Sequence, residues 1–331
     1  MDRVTVVGSG GWGTAIAVMM AHRRHSSVHL WCARPETAKR LRAERENRAQ
    51  LPGVPLPQSI AIETDPAVVR GADLVIFAVP TAHLPSVLER FAPFCHDGLS
   101  VVSLTKGILF PSFERPSELI ARFLKPSRIA VLSGPNHAEE IARGLPASAV
   151  VASPDQSFAE RCRDVFGTPR FRVYSNRDIV GVELAGAYKN VLGIAAGLGD
   201  GLNLGDNAKA ALLTRGLVEM TRFGMAFGAD PDTFTGLAGI GDLIVTCFSR
   251  HGRNRRLGER IALGESLAEA TAGPQIAEGA NTVKSVRAIA IERSLDLPIA
   301  GEVHAVLFEG VPPTVAMHEL MNRSLKDERR P

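Results

Sequence analysis

The chain has 331 residues, more than one ordinary core fills, so two domains are the first expectation. With 45% hydrophobic and 22% charged residues the composition is globular, not disordered. A net charge of +3, with no dense basic run interleaved with aromatics, argues against a nucleic-acid partner.

Four cysteines, Cys32, Cys95, Cys162 and Cys247, form no CxxC pair and no close Cys/His cluster. That argues against a metal centre or a disulfide framework and favours a reducing, cytoplasmic setting. The first strand-like run opens at Arg3, which leaves no room for a signal peptide. The most apolar long window, around 185–204, contains Lys189 and Asp200 and makes a poor membrane span, so no membrane insertion is expected.

In chain order, "RVTVVGSG" is followed by the helical pattern "WGTAIAVMMAHRR", and "SVHLWCA" by "PETAKRLRAERENRA". Then come "ADLVIFAVP", "LSVVSLTKG", "RIAVLSGP", "ASAVVAS" and "FRVYSN". Continuous apolar strands alternating with helices predict a mostly parallel sheet covered on both faces. The fold class expected over 1–177 is therefore α/β, a Rossmann-type doubly wound sheet. From 178 the strand signal stops, and the pattern predicts helices at 178–199, 206–228, 232–248, 253–264, 266–272, 280–293 and 298–308. Residues 178–331 are thus expected to form an all-helical C-terminal domain, ending in a frayed "KDERRP".

"VTVVGSGGWGTAIA" carries a GxGxxG pattern as Gly8, Gly10 and Gly13, directly after a strand and opening a helix. Each glycine has a use: a tight turn, backbone access for a pyrophosphate, and close helix–strand packing. The helix N-terminus then aims unpaired amides at the anion. An NAD enzyme usually has an acidic residue about 20 residues on, for the ribose 2′-hydroxyl. Here the stretch reads Trp31-Cys32-Ala33-Arg34, with no carboxylate before Glu36. Arg34 can pair with a 2′-phosphate, favouring NADP(H) with NAD(H) still usable, or it is simply a solvated arginine at a helix start.

The stretch "GAYKNVLGIAAG" places Lys189 among apolar and glycine neighbours. Crowding disfavours the charged form of a lysine, so such a group can serve as a titratable donor, with Asn190 adding a neutral hydrogen bond. The plainer reading is a lysine snorkelling from a helix edge. Asp242 lies in a glycine-flanked turn before "LIVTC", either as an N-cap or as the partner that orients Lys189. Arg253 and Asn254 begin a helix, where amides and a guanidinium suit a phosphate; the alternative is a surface basic face with Arg255, Arg256 and Arg260.

Taken with "LTKG", "SGPNHAEE", "GIGDL" and "GRNRRLG", "AYKN" makes the chain closely resemble the bacterial NAD(P)-dependent sn-glycerol-3-phosphate dehydrogenases. The resemblance runs nearly end to end, through "LPGVPLP", "NAKAALLTRGLVEM" and "AEGANTVK". It implies reduction of dihydroxyacetone phosphate to sn-glycerol 3-phosphate, a phospholipid precursor, and commonly a homodimer. It also implies Gly11 and Trp12 as further nucleotide contacts, and Lys106 shared between nucleotide and substrate. Gly134 and Asn136 fall to the substrate and Ala138 to the cofactor. Lys189 is the implied acid/base, with Asp242. Gly252, Arg253 and Asn254 serve the substrate, Arg253 reaches the cofactor as well, and Ile276 and Glu278 lie near the cofactor.

Three positions depart from the common pattern. Gly252 replaces a frequent hydroxyl residue, leaving only its backbone amide for the phosphate. Asn136-His137 stands where Ser or Thr followed by Phe is common. Tyr188 precedes the lysine where a small or aliphatic residue is frequent. Two other readings remain at this point: a related β-hydroxyacid dehydrogenase or ketopantoate reductase, and a catalytically silent nucleotide-binding protein.

Overall fold

Runs of valine, isoleucine and leucine too short for a helix and buried on both faces build the sheet of the first unit. The computed structural model describes residues 3–23, 27–249, 252–272, 278–325 and 327. Its strands are β1 (Arg3–Val7), β2 (Ser27–Trp31), β3 (Ile60–Glu63), β4 (Leu74–Phe77), β5 (Ser100–Ser103), β6 (Arg128–Ser133), β7 (Ala147–Ala152) and β8 (Phe171–Asn176). They pair in the order β3-β2-β1-β4-β5-β6-β7-β8. The helices of this unit are α1 (Gly11–Ala21), α2 (Pro35–Glu44), α3 (Leu84–Phe91), α4 (Pro116–Leu124), α5 (Ala138–Ala142) and α6 (Gln156–Phe166).

This is the mostly parallel, doubly wound sheet expected, with one difference. The strand "IAIE" of β3 is not among the predicted runs: four residues alternating between buried and half-buried give little periodic signal. All neighbours pair in parallel except β6 and β7, which are antiparallel. A short connection, holding only the five-residue α5, joins those two strands, and a return of that kind needs no crossover helix. The sheet reverses its winding between β1 and β4, and the crevice at the carboxyl ends of such strands is where α/β sheets bind ligands.

By compactness the chain divides into Met1–Thr105 with Pro116–Ile179, and Lys106–Arg115 with Val180–Pro331. A boundary at residue 177 leaves the segment Lys106–Arg115 in the first domain; the structure groups it with the second. Three contacts explain this. Lys106 Nζ pairs with Asp242 at 2.7 Å, Ser285 Oγ donates to Ile108 O at 3.1 Å, and Arg115 Nη1 pairs with buried Glu183 at 2.6 Å.

The second unit is helical: α7 (Ile179–Gly201), α8 (Gly205–Met225), α9 (Pro231–Phe234), α10 (Asp242–Phe248), α11 (Arg253–Ala262), α12 (Leu267–Thr271), α13 (Gly279–Glu292), α14 (Pro298–Phe308) and α15 (Pro313–Met321). The single helix predicted at 232–248 is two, separated by a π-type turn at Leu237–Gly241. Gly239 makes that turn possible, since a Cβ there would lie 1.9 Å from Phe234 O. The last helix, α15, was not predicted. α7 is long and apolar enough to cross a membrane, yet 89% of its most apolar window is buried within the protein, as in a core helix.

The glycines of α7 decide how it packs. Gly193, Gly197 and Gly201 recur every four residues and share one helix face. A Cβ on them would lie 2.8 Å from Thr246 Cγ2, 1.8 Å from Arg255 O and 2.6 Å from Ala262 Cβ. From the other side, a Cβ on Gly258 would lie 2.1 Å from Ile194 O. α7 and α11 therefore meet backbone to backbone, and this close approach seats the start of α11 beside the turn that carries Lys189 and Asn190.

Candidate active site

In the first unit the chain leaves β1 and turns at Gly8, whose φ of 115° is open to glycine and strained for other residues. A Cβ on Gly8 would lie 2.5 Å from Ala78 O, just past β4, and one on Gly13 would lie 2.0 Å from Gly8 O. Gly10 faces open space and is the N-cap of α1 with no side-chain cap. The first amides of α1 thus keep their donors for an outside acceptor. Trp12 Nε1 is buried with no partner among the described residues, a donor in want of one. Ala138, which opens α5, has its Cβ within 3.8 Å of where a Gly11 Cβ would stand.

Asn47 supports this turn from below. It is 1% exposed, and its Nδ2 donates to Ser9 O at 2.9 Å and to Thr14 Oγ1 at 2.8 Å. The sequence reading missed it; the polar residue in "RENRAQLPGVPLP", just ahead of a quoted family segment, was the only signal. Arg34 is exposed and is the N-cap of α2. Gly134 is buried with φ 130°, and a Cβ there would press to 3.0 Å on Ala149 Cα. Asn136 and His137 follow it, His137 as N-cap of α5.

In the second unit, residues distant in sequence converge. Lys189 Nζ of α7 donates to Asp242 Oδ1 at 2.5 Å, and Lys106 Nζ donates to Asp242 Oδ2 at 2.7 Å. The Asp242 side chain is 2% exposed and the lysines 11% and 14%, so two cations share one buried anion. Burial by itself raises a carboxyl pKa, but the two ammonium groups prevail and hold Asp242 below its ordinary range. Lys106 is lowered to about 8, by burial first, with Lys189 adding to the shift and Asp242 opposing it. Asp242 is not an N-cap: Gly241 holds that position, and the Asp242 carboxylate is turned to the lysines.

Asn190 and Asn254 tie α7 to α11. Asn254 Nδ2 donates to Asn190 Oδ1 at 2.8 Å, and Asn254 Oδ1 accepts from the Gly279 amide at the start of α13 at 3.0 Å. Asn254 thus joins three helices. Arg253 is exposed on the first turn of α11, which has no side-chain cap. The Gly252 amide, assigned to a phosphate from the sequence, donates to Ser249 O at 3.2 Å. Glu278 is the N-cap of α13, and Ile276 lies outside the described residues.

Family models described as the NAD-dependent glycerol-3-phosphate dehydrogenase N-terminus and C-terminus match residues 3–159 and 178–318. The chain belongs to the NAD-dependent glycerol-3-phosphate dehydrogenase family. It is 45% identical over 331 residues to the glycerol-3-phosphate dehydrogenase [NAD(P)+] of Chlorobium phaeobacteroides, covering 98% of this chain and 99% of that one. A crystal structure of glycerol-3-phosphate dehydrogenase from Coxiella burnetii superposes with a TM-score of 0.93 at 37% identity, covering 97% of this chain and 99% of that one. A ketopantoate reductase structure from Ralstonia eutropha, at 17% identity and a TM-score of 0.62, covers 96% of this chain and 100% of that one, and shares the fold alone.

For a glycerol-3-phosphate dehydrogenase, the turn at Gly8–Gly13 fits the pyrophosphate of a nicotinamide dinucleotide. It has free amides at the mouth of α1, open space over Gly10 and an orphaned indole N–H. The second unit carries the charge. Of the residues marked in the sequence, Lys106, Asp242 and Lys189 form one hydrogen-bonded group, and Asn190 and Asn254 form a second, which Gly279 joins unpredicted.

Proposed function

We propose that this chain reduces dihydroxyacetone phosphate to sn-glycerol 3-phosphate with a reduced nicotinamide cofactor, NADPH in preference and NADH as well. The observation that carries the reading is the buried Lys106–Asp242–Lys189 triad. Reducing a ketone places negative charge on its oxygen, which needs a fixed donor and then a proton. The bound cofactor supplies the hydride. Lys189 donates to the carbonyl oxygen, and Asp242 holds its ammonium in place. Lys106 adds a second cation beside the substrate; with its pKa near 8 it remains mostly charged at neutral pH. Arg253 and the uncapped start of α11 take the phosphate. Asn254 acts chiefly by holding Asn190 and α13 in place, because both ends of its amide are engaged. Gly134 and Asn136 line the substrate, and Gly11, Trp12, Ala138 and Glu278 the cofactor.

The assay is loss of NADPH absorbance with dihydroxyacetone phosphate, with ketopantoate and with buffer alone. Turnover with the first only is expected. Turnover with ketopantoate instead overturns the substrate, and none with either supports a silent nucleotide-binding protein. The matches of the two family models over residues 3–159 and 178–318 favour the dehydrogenase over either alternative. We also propose synthesis of phospholipid precursor in the cytoplasm, by a homodimer free of nucleic acid and membrane. Free cysteines and exposed apolar side chains on the second unit, Leu204, Met225 and Met321, support that setting. A solution mass of one chain by light scattering excludes the dimer.

A further inference from the structure

The residue before Lys189 in α7 is pinned. Tyr188 is fully buried, with its ring 5.2 Å from that of Phe223. Its hydroxyl donates to Glu219 Oε2 of α8 at 2.9 Å. Glu219, 3% exposed, also accepts the first amides of α14, Ile299 N–H on Oε1 at 2.7 Å and Ala300 N–H on Oε2 at 3.3 Å. One buried carboxylate thereby links α7, α8 and α14. Burial pushes its carboxyl up to about 7, while the Ile299 amide, the Tyr188 hydroxyl and the Ala300 amide pull the other way. An acid kept in so costly a place needs those partners.

We infer that Glu219, acting through Tyr188, is a positioning residue for Lys189: it fixes the rotation of α7 about its axis at the turn that carries the lysine. This rests on the reading of Lys189 as proton donor. The glycine face of α7 against α11 sets how near the two helices come. Side chains join the same two helices at Asn190–Asn254 (2.8 Å) and Asp200–Arg255 (2.5 Å), and Tyr188 adds a tie to α8 from another face of α7. Successive helix residues point about 100° apart, so Tyr188 and Lys189 pull in different directions, toward α8 and toward α10. A lysine ammonium stands roughly 8 Å from its helix axis, so a turn of about 7° moves it by roughly 1 Å. Misplacement on that scale can cost up to about 100-fold in rate.

Tyr188→Phe tests the link, because it keeps the ring packing and both amide bonds from α14 to Glu219. Steady-state kinetics are measured well below each variant's melting temperature. In Tyr188→Phe, kcat is expected to fall about three- to tenfold, with KM for dihydroxyacetone phosphate and NADPH within about twofold of the parent. Tyr188→Phe/Glu219→Gln should be no slower than Glu219→Gln alone, since both changes cut one connection. An unchanged kcat in folded Tyr188→Phe overturns the inference. So does a loss confined to KM, or losses that multiply in the double variant. Lys189→Ala, run alongside, separates the two failures. Near-normal turnover there removes the lysine from the chemistry, whereas a dead Lys189→Ala beside an unimpaired Tyr188→Phe removes only the positioning role.

Discussion

The glycine turn of the first unit offers backbone: amides at the mouth of α1, held by Gly8 and Gly13, which no side chain can replace without a clash. The lysine–aspartate cluster of the second unit offers side chains, brought from residues 106, 189 and 242 onto one buried carboxylate. The first kind of site is local, written in six consecutive residues, and its cost is steric. The second is assembled from afar, and its cost is the desolvation of three charges that must stay paired. Substitutions should therefore separate the two: damage to the cluster should spare nucleotide binding, and damage to the turn should weaken it.

The largest separation is expected from Lys189→Ala. Deleting one positioned acid/base typically costs about 10²–10⁴ in rate. Asp242 keeps Lys106 as a partner in the variant, so its charge is not left alone. NADPH affinity by fluorescence titration should match the parent while kcat collapses. Near-normal kcat at saturating substrate excludes Lys189 as the donor.

Gly13→Ala should do the reverse. A methyl 2.0 Å from Gly8 O has no soft neighbour to displace, and overpacking of this kind costs typically about 1–3 kcal/mol. NADPH binding should weaken by roughly tenfold or more, on the scale of 1.4 kcal/mol per factor of ten. Parent-like NADPH affinity in a folded Gly13→Ala would show that the turn does not hold the nucleotide.

The same contrast decides what the sequence discloses. Gly8, Gly10 and Gly13 can be read because strand, turn and helix are contiguous, and each glycine has a steric task that spacing reveals. Lys189 stands out as a charge in an apolar helix, but its pairing with Asp242 across 53 residues is tertiary, and the family resemblance alone linked the two. Asp242 looked equally like a cap, because glycines precede it; the π-type turn that carries the helix past them leaves no periodic trace. Asn47 is invisible beforehand, as a buried asparagine in a polar loop looks solvated until its two acceptors are known. The direction of β7 was left open for a related reason: alternation of strands and helices fixes the class of a sheet but not the direction of each strand.

Within the cluster, pH tests the role of Lys106. Lys106 is lowered from 10.5 to about 8, so it carries its charge below pH 8 and sheds it above. Asp242, held below its ordinary range, stays ionised throughout. The kcat/KM for dihydroxyacetone phosphate should therefore fall above about pH 8, approaching tenfold per unit. In Lys106→Arg, slower overall, the guanidinium keeps its charge and the alkaline limb should move up by more than one unit. A limb left at pH 8 in that variant assigns the titration to another group.

The smallest effect belongs to the first unit and concerns which nucleotide its turn receives. Past β2 the chain runs Cys32, buried, then Ala33 and Arg34, both exposed. No carboxylate stands there for a ribose 2′-hydroxyl or against a 2′-phosphate. Glu63, opposite Trp31 in the neighbouring strand, directs its carboxylate to His29 at 3.7 Å and supplies neither function. A charge-assisted hydrogen bond from Arg34 to a 2′-phosphate contributes about 1.5–3 kcal/mol when sheltered, which corresponds to roughly 10- to 100-fold. Exposure weakens such a pair toward about 1 kcal/mol, so the expected preference for NADPH lies near the lower end, roughly tenfold, and should shrink further in high salt. Arg34→Ala should weaken NADPH by that factor and leave NADH nearly unchanged. Equal kcat/KM for the two cofactors in the parent protein removes Arg34 from the choice while leaving the proposed role of the second unit's lysines untouched.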